Sequence, residues 1–237
     1  MPLPSNQLAA LRGLSSPTVA NAIETFKVRP REAGNLSSEI RALFSELGPM
    51  AGYAVTALIR AERPAAQQRR ASIFAWWDYI QTIPAPRIVV MHDLDQPQGQ
   101  GAFWGEVQAN IHKVLGCVGV VTDGSVRDLD EVRRLGFQFY AAHVSVSHAN
   151  VHLVDFGIPV KVGGVWINPG DLLHRDQHGV VVIPHEIAER IPEAAQRVGA
   201  EEQRIIQACR PEGFTVERLK AAYKAVRPDA YQQVGVP

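Results

Sequence analysis

The run Val118-Gly119-Val120-Val121-Thr122 constrains this chain more than any other segment. It is apolar without alternating, the pattern of a strand covered on both faces. It leads into Asp123-Gly124-Ser125, which reads as a turn on residue chemistry. Upstream, Phe103 to Leu115 reads as a helix ended by Gly116. Downstream, Asp128 to Leu135 reads as a helix closed by Gly136. Phe137 to Ala141 is a further apolar strand. Helix, strand, helix, strand with short connections favours a parallel sheet with packed helices.

The flanks fit around that centre. Ser16-Pro17 reads as a helix start, a capping hydroxyl followed by a proline whose missing N–H costs nothing there. Val19, Ala22, Ile23 and Phe26 then form one apolar face. Tyr53 to Ile59 reads as a strand, Arg70 to Ile80 as a helix stopped by Pro84 and Pro86, and Arg87 to Met91 as a short buried strand. From Val151 to Ile183 the pattern is short antiparallel strands and tight turns. Beyond Pro184 the chain is helical to about Arg227, with Thr215 capping the last helix and Pro228 to Pro237 frayed. This divides the chain into a main α/β domain, 1–190, and a C-terminal helical extension, 191–237.

Composition excludes several classes. The 24 Lys and Arg balance 24 Asp and Glu, which argues against nonspecific nucleic-acid binding driven by excess positive charge. No apolar run approaches the roughly 20 residues that span a bilayer. The first residues lack the pattern of a secretory signal, so the expected compartment is the cytoplasm. Two cysteines are too few for a disulfide scaffold, and Cys117 reads as a small core residue.

Phosphate-loop, HExxH and GxSxG signatures are absent. Gly99-Gln100-Gly101 starts like a dinucleotide loop, but Trp104 stands where the third glycine belongs. His174, Asp176 and His178 alternate and could form a metal-binding face; turn chemistry at Asp176-Gln177-His178-Gly179 favours a polar turn instead. His92, Asp93 and Asp95 are read as a solvated loop rather than as ligands. Arg127-Asp128 follows the buried strand at a helix start. Arg127 can grip a carboxylate in two-pronged fashion and Asp128 can give a hard oxygen to a divalent ion. Equally, Asp128 could cap its own helix while Arg127 pairs with Asp130 or Glu131. The turn Trp104-Gly105-Glu106-Val107-Gln108 can present backbone N–H groups to a carboxylate, and Glu106 adds an acid. Alternatively, Glu106 simply favours the helix dipole.

These blocks, in this order, resemble the RraA-like family of 4-hydroxy-4-methyl-2-oxoglutarate and 4-carboxy-4-hydroxy-2-oxoadipate aldolases and regulators of ribonuclease activity. The resemblance covers about residues 15 to 185. It rests on Gly116 to Glu131, on Pro159-Val160-Lys161-Val162-Gly163-Gly164-Val165, and on Asn168-Pro169-Gly170-Asp171 running on through Asp176 to Pro184. The aldolase spacing is also matched: Glu106, twenty residues, Arg127-Asp128, two residues, Glu131.

The resemblance implies a layered, swivelling β/β/α-type domain, here with helical N- and C-terminal extensions. It implies assembly as a homotrimer or homohexamer with sites between subunits. It also implies Mg²⁺ or Mn²⁺ on Asp128, with Glu106 acting through water. Arg127 would hold a small 2-oxo acid, and the backbone of Gly105, Glu106, Val107 and Gln108 would hold its carboxylate. The implied activity is a class II aldolase releasing pyruvate from a 4-hydroxy-2-oxo acid, with oxaloacetate decarboxylation possible at the same site. The family's other implication is a non-catalytic binding protein of the ribonuclease-regulator type, against which Glu106 counts mildly. The segment from Glu62 to Ile83 and the C-terminal tail depart from the family core. His143, Ser147, His148 and Asn150 stand where aldolases place other pocket groups, which leaves the general base open, an activated water being one candidate; His148 reads either as a pocket residue or as part of a polar surface loop.

Overall fold

The computed structural model describes residues 2–64 and 70–227. Four central strands run parallel: β2 (Met50–Arg60), β3 (Arg87–Asp93), β5 (Cys117–Val126) and β6 (Gln138–Val144). Each is buried on both faces. Val55, Ala57, Ile59, Val89, Met91, Val120, Phe139 and Ala141 fill one side, while Ala54, Ile88, Val90, Val121 and Tyr140 fill the other. That two-step alternation within continuous apolar runs is what a doubly covered parallel sheet requires.

The sheet continues through β1 (Arg41–Ala42) beside β6 and through the antiparallel pair β10 (Leu172–Asp176) and β11 (Gly179–Ile183) beside β2. Two short strands attach off this path, β4 (Ala102–Trp104) on β5 and β7 (His152–Phe156) on β2. One edge of β2 is therefore shared. Its residues 50–53 pair with β10 and 57–60 with β7. The hairpin β8 (Val160–Val162) and β9 (Val165–Ile167) folds over the second face. The sequence pattern after 151 is one of short antiparallel strands and tight turns, and the structure divides them. Only β8–β9 is separate; the others complete the main sheet, because β2 would otherwise expose an unpaired edge.

Helices α3 (Ile73–Thr82), α4 (Glu106–Val114) and α5 (Leu129–Leu135) cover the first face. Helices α1 (Ser5–Arg12), α2 (Ser16–Glu24) and α6 (Ile191–Ala208) pack around β10 and β11, with Ile191, Ala194 and Ala195 of α6 buried beside Val19 and Ile23 of α2. A 3-10 turn over His185–Arg190 precedes α6, and α7 (Val216–Val226) follows it, capped by Thr215, whose hydroxyl accepts from Arg218 N–H.

Several expectations need correction. Asp123-Gly124-Ser125 is not a turn. β5 runs through it with a bulge, the register slipping between Thr122 and Ser125, so the turn-forming residues bend a strand they do not end. The cap of α2 is Ser15, which accepts from Thr18 N–H; Ser16 sits inside the helix and bonds His174 instead. Phe103 and Trp104 are strand, and the helix starts at Glu106. His174 and Asp176 lie on a strand and are buried. They bind α2: Asp176 accepts Ser16 N–H, and His174 links Ser16 Oγ to the Leu11 carbonyl. Burial holds the His174 ring below the usual histidine range. The expected fraying of 228–237 lies outside the described residues. Among the described residues, no helix is long and apolar enough to cross a membrane.

Candidate active site

Two chain segments meet beyond the end of β5. Trp104, closing β4, pairs with Val126, and its carbonyl accepts Arg127 N–H at 2.9 Å. This places Arg127-Asp128 directly against the start of α4. Asp128 takes left-handed backbone angles, φ 55° and ψ 47°. Outside glycine that conformation costs about 1–2 kcal/mol, least for Asp and Asn.

The side chain of Asp128 does not cap its own helix. Its Oδ2 crosses to α4 and accepts Glu106 N–H at 2.9 Å. Gly105 makes the approach possible: a Cβ there would stand 2.4 Å from Asp128 Oδ2. Arg127 Nε lies 3.8 Å from the same oxygen, and both side chains remain about one-third exposed. Arg127 therefore does not pair with Asp130 or Glu131, which hold Arg133 and Arg134.

The cleft, about 340 Å³, is lined by Gly105, Val107, Gln108, Arg127 and Asp128 among others. Five of the six residues singled out from sequence thus share one space. Glu106 is the exception: its side chain is exposed and does not line the cleft, and its N–H is already committed to Asp128. The N–H groups of Val107 and Gln108 belong to the first turn of a nine-residue helix, where no intrahelical acceptor exists. Both face a dipole end that favours an anion. Gln108 also contributes a buried side-chain Oε1 that has no hydrogen-bond partner among the described residues.

The opposite wall carries Arg70, His148 and His152. His148 was open in the sequence reading; Arg70 and His152 were missed. His152 sits in a short alternating strand, where a half-buried core histidine is the default reading, and only the fold turns it toward the cleft. The Nδ1 of His152 lies 2.9 Å from the Asn150 carbonyl, and that of His148 lies 2.8 Å from the Ala149 carbonyl. With a carbonyl as partner, Nδ1 carries the hydrogen and Nε2 is left as the acceptor in the neutral ring.

Among the described residues, no three His, Cys, Asp or Glu side chains converge as a closed metal centre. Asp128 offers an oxygen, Oδ1, outside its bond to α4. A single hard carboxylate beside an open, polar space suits an ion that keeps most of its water, as Mg²⁺ does.

Sequence comparison places this architecture among known proteins. The family model described as RraA-like: Aldolase/RraA matches residues 17–182. A provisionally named 4-hydroxy-4-methyl-2-oxoglutarate aldolase of Halalkalibacterium halodurans is 30% identical over 103 residues, covering 43% of this chain and 49% of its own. The chain spans 34–64% of the length of three curated relatives that it matches. An uncharacterised protein of Pseudomonas syringae pv. tomato shares the fold with a TM-score of 0.73 at 23% identity, covering 94% of this chain and 96% of its own. So does RraAS2 of Streptomyces coelicolor, described as an unusual member of the RNase ES inhibitor RraA protein family. Its TM-score is 0.66 at 22% identity, with 89% and 99% covered.

Proposed function

The chain belongs to the RraA-like family, and from that premise we propose that it is a divalent-metal-dependent carbon–carbon lyase. It would cleave a 4-hydroxy-2-oxo acid to pyruvate and a carbonyl product. The observation that carries this reading is the Arg127–Asp128 pair held against the first turn of α4. The aldolase names of relatives support it.

The residues divide the work as follows. The free N–H groups of Val107 and Gln108 bind the substrate carboxylate and fix its direction. The Arg127 guanidinium faces the 2-oxo oxygen, where negative charge grows as the C3–C4 bond breaks and the pyruvate enolate forms. A cation placed there stabilises the transition state more than the ground state. His152 Nε2 takes the proton of the 4-hydroxyl, whose electrons then close to the carbonyl of the leaving product. Mg²⁺ or Mn²⁺ on Asp128, with Glu106 acting only through water, would add Lewis-acid polarisation of the 2-oxo group. Decarboxylation of oxaloacetate leaves the same enolate and needs no 4-hydroxyl base.

Assembly into trimers or hexamers, with sites completed between subunits, belongs to the same proposal. It is supported by Val107 and Phe74, apolar yet 69% and 68% exposed, on the helices that carry or neighbour the cleft. Light scattering after gel filtration tests it. A monomer would oppose it.

The catalytic test is pyruvate release from oxaloacetate and from 4-hydroxy-4-methyl-2-oxoglutarate, with and without Mg²⁺. Loss of one charge-stabilising donor typically costs about 10²–10³ in turnover, and Arg127→Ala should fall in that range. His152→Gln should lose aldol cleavage while keeping decarboxylation. No release above the metal-only background from either substrate would move the reading to a binding protein.

A further inference from the structure

We propose that the opposite face of the sheet carries a second site, which binds a small oxyanion, carboxylate or phosphate, at the ends of β3, β5 and β6. A cleft of about 730 Å³ opens there, separate from the Arg127–Asp128 cleft. Its floor is built from His92 at the end of β3, Asp123 in the bulge of β5 and His143 near the end of β6. The hairpin β8–β9 contributes Lys161, and β1 contributes Arg41. Ligands of α/β sheets gather outside the carboxyl ends of parallel strands.

The floor is organised around a histidine with one nitrogen committed and one presented. His92 Nδ1 lies 2.6 Å from Asp123 Oδ2, and Asp123 Oδ1 accepts Asp93 N–H at 2.8 Å. Both oxygens of Asp123 are therefore occupied. The carboxylate fixes the ring with its hydrogen on Nδ1. Among the described residues, nothing bonds His92 Nε2, and the ring is 25% exposed in the cleft. The hydrogen bond to Asp123 holds the His92 ring above the usual histidine range, and in the protonated ring Nε2 is a donor.

This arrangement rests on a buried frame. Asp93 is fully buried and accepts the N–H groups of Asp95 and Gly99. Asp95 is 1% exposed and accepts those of Ala61 and Glu62. The segment read from sequence as a solvated loop is thus a rigid support under His92.

Charge selects the ligand. Arg41 and Lys161 are exposed, and among the described residues neither is held in an ion pair or hydrogen bond. Glu39 is the other acid of the lining, since Asp123 is matched by His92. Two free cations against one free carboxylate, beside an imidazole nitrogen with no partner among the described residues, suit an anion with several oxygens.

The test follows ring signals of ¹³C-labelled histidine while the full chain is titrated with inorganic phosphate and, separately, with succinate. The two probes distinguish phosphate from carboxylate as the preferred group. The expected result is a saturable shift of the His92 signal with one or both probes. Arg127→Ala should leave that shift unchanged, and the exposed double variant Arg41→Ala/Lys161→Ala should bind at least tenfold more weakly. The proposal is overturned if the His92 signal does not move, if its movement disappears in Arg127→Ala, or if it survives undiminished without both cations.

Discussion

Replacing Gly105 with alanine tests the central contact of the candidate site. Gly105 has φ −158°, so alanine meets no backbone strain and the effect is steric. The new Cβ would lie 2.4 Å from Asp128 Oδ2 and 3.2 Å from Arg127 Cγ. Ordinary contact begins near 3.5 Å, so the carboxylate must retreat by about 1 Å. That movement breaks the bond from Glu106 N–H. A charge-assisted hydrogen bond contributes about 1.5–3 kcal/mol net, and exposure of Asp128 reduces this to about 1 kcal/mol. The melting temperature should drop by about 2–4 °C. Turnover should suffer more, because a displacement of about 1 Å at a reacting centre costs about 10²-fold. Thermal melting and pyruvate release measured on the same preparation separate the two effects. A lowered melting temperature with undiminished turnover would refute the role given to Asp128. An unchanged melting temperature would refute the contact itself.

Three further outcomes follow from buried polar groups. His112 is fully buried, with Nε2 accepting from Trp76 Nε1 and Nδ1 2.7 Å from the Gln108 carbonyl, and burial lowers its pKa to about 4. The unfolded chain therefore binds a proton near pH 6.5 that the folded chain refuses, and stability should be lost as pH falls from about 6.5 toward 4. The loss from this residue should total about 3 kcal/mol, and urea titrations of the native chain and His112→Gln, compared across that window, measure it. Arg175 is fully buried, lies 4.5 Å over the Tyr140 ring, and has Nε and Nη1 without a partner among the described residues. Arg175→Met should raise the urea midpoint, by about 1–3 kcal/mol in stability, and a fall would show that the guanidinium is satisfied in solution. Gln108→Leu removes a buried oxygen that has no partner among the described residues and keeps the backbone N–H given to the substrate, so thermal melting should show equal or higher stability while pyruvate release persists.

The parallel centre was legible because its strands are apolar on both faces, which few other structures tolerate. Glycines past α4 and α5 were legible for a local reason: Gly116 and Gly136 take φ of 78° and 72°. Gly105, Val107, Gln108, Arg127 and Asp128, which line the candidate cleft, were picked out by a family resemblance, but how they meet there was not legible. That the Asp128 carboxylate crosses to a neighbouring helix depends on β4 pairing with β5, and three residues of strand leave almost no periodic signal. The polar pairs were least legible. His92 and Asp123 stand 31 residues apart and meet only because β3 and β5 are adjacent. His174 and Asp176 carry turn-like and ligand-like chemistry in sequence. They become structural anchors only once α2 arrives from more than 150 residues away.

The divided edge of β2 has a consequence for how the chain acquires its structure. β2 lies near the start of the chain, yet both of its antiparallel partners are made roughly a hundred residues later or more. During synthesis its outer edge therefore leaves the ribosome with unpaired N–H and C=O groups, and stays so until β7 and β10 follow. Pairings of such span are slow to form, and an apolar strand edge waiting for them is the part of a nascent chain that aggregates or engages chaperones.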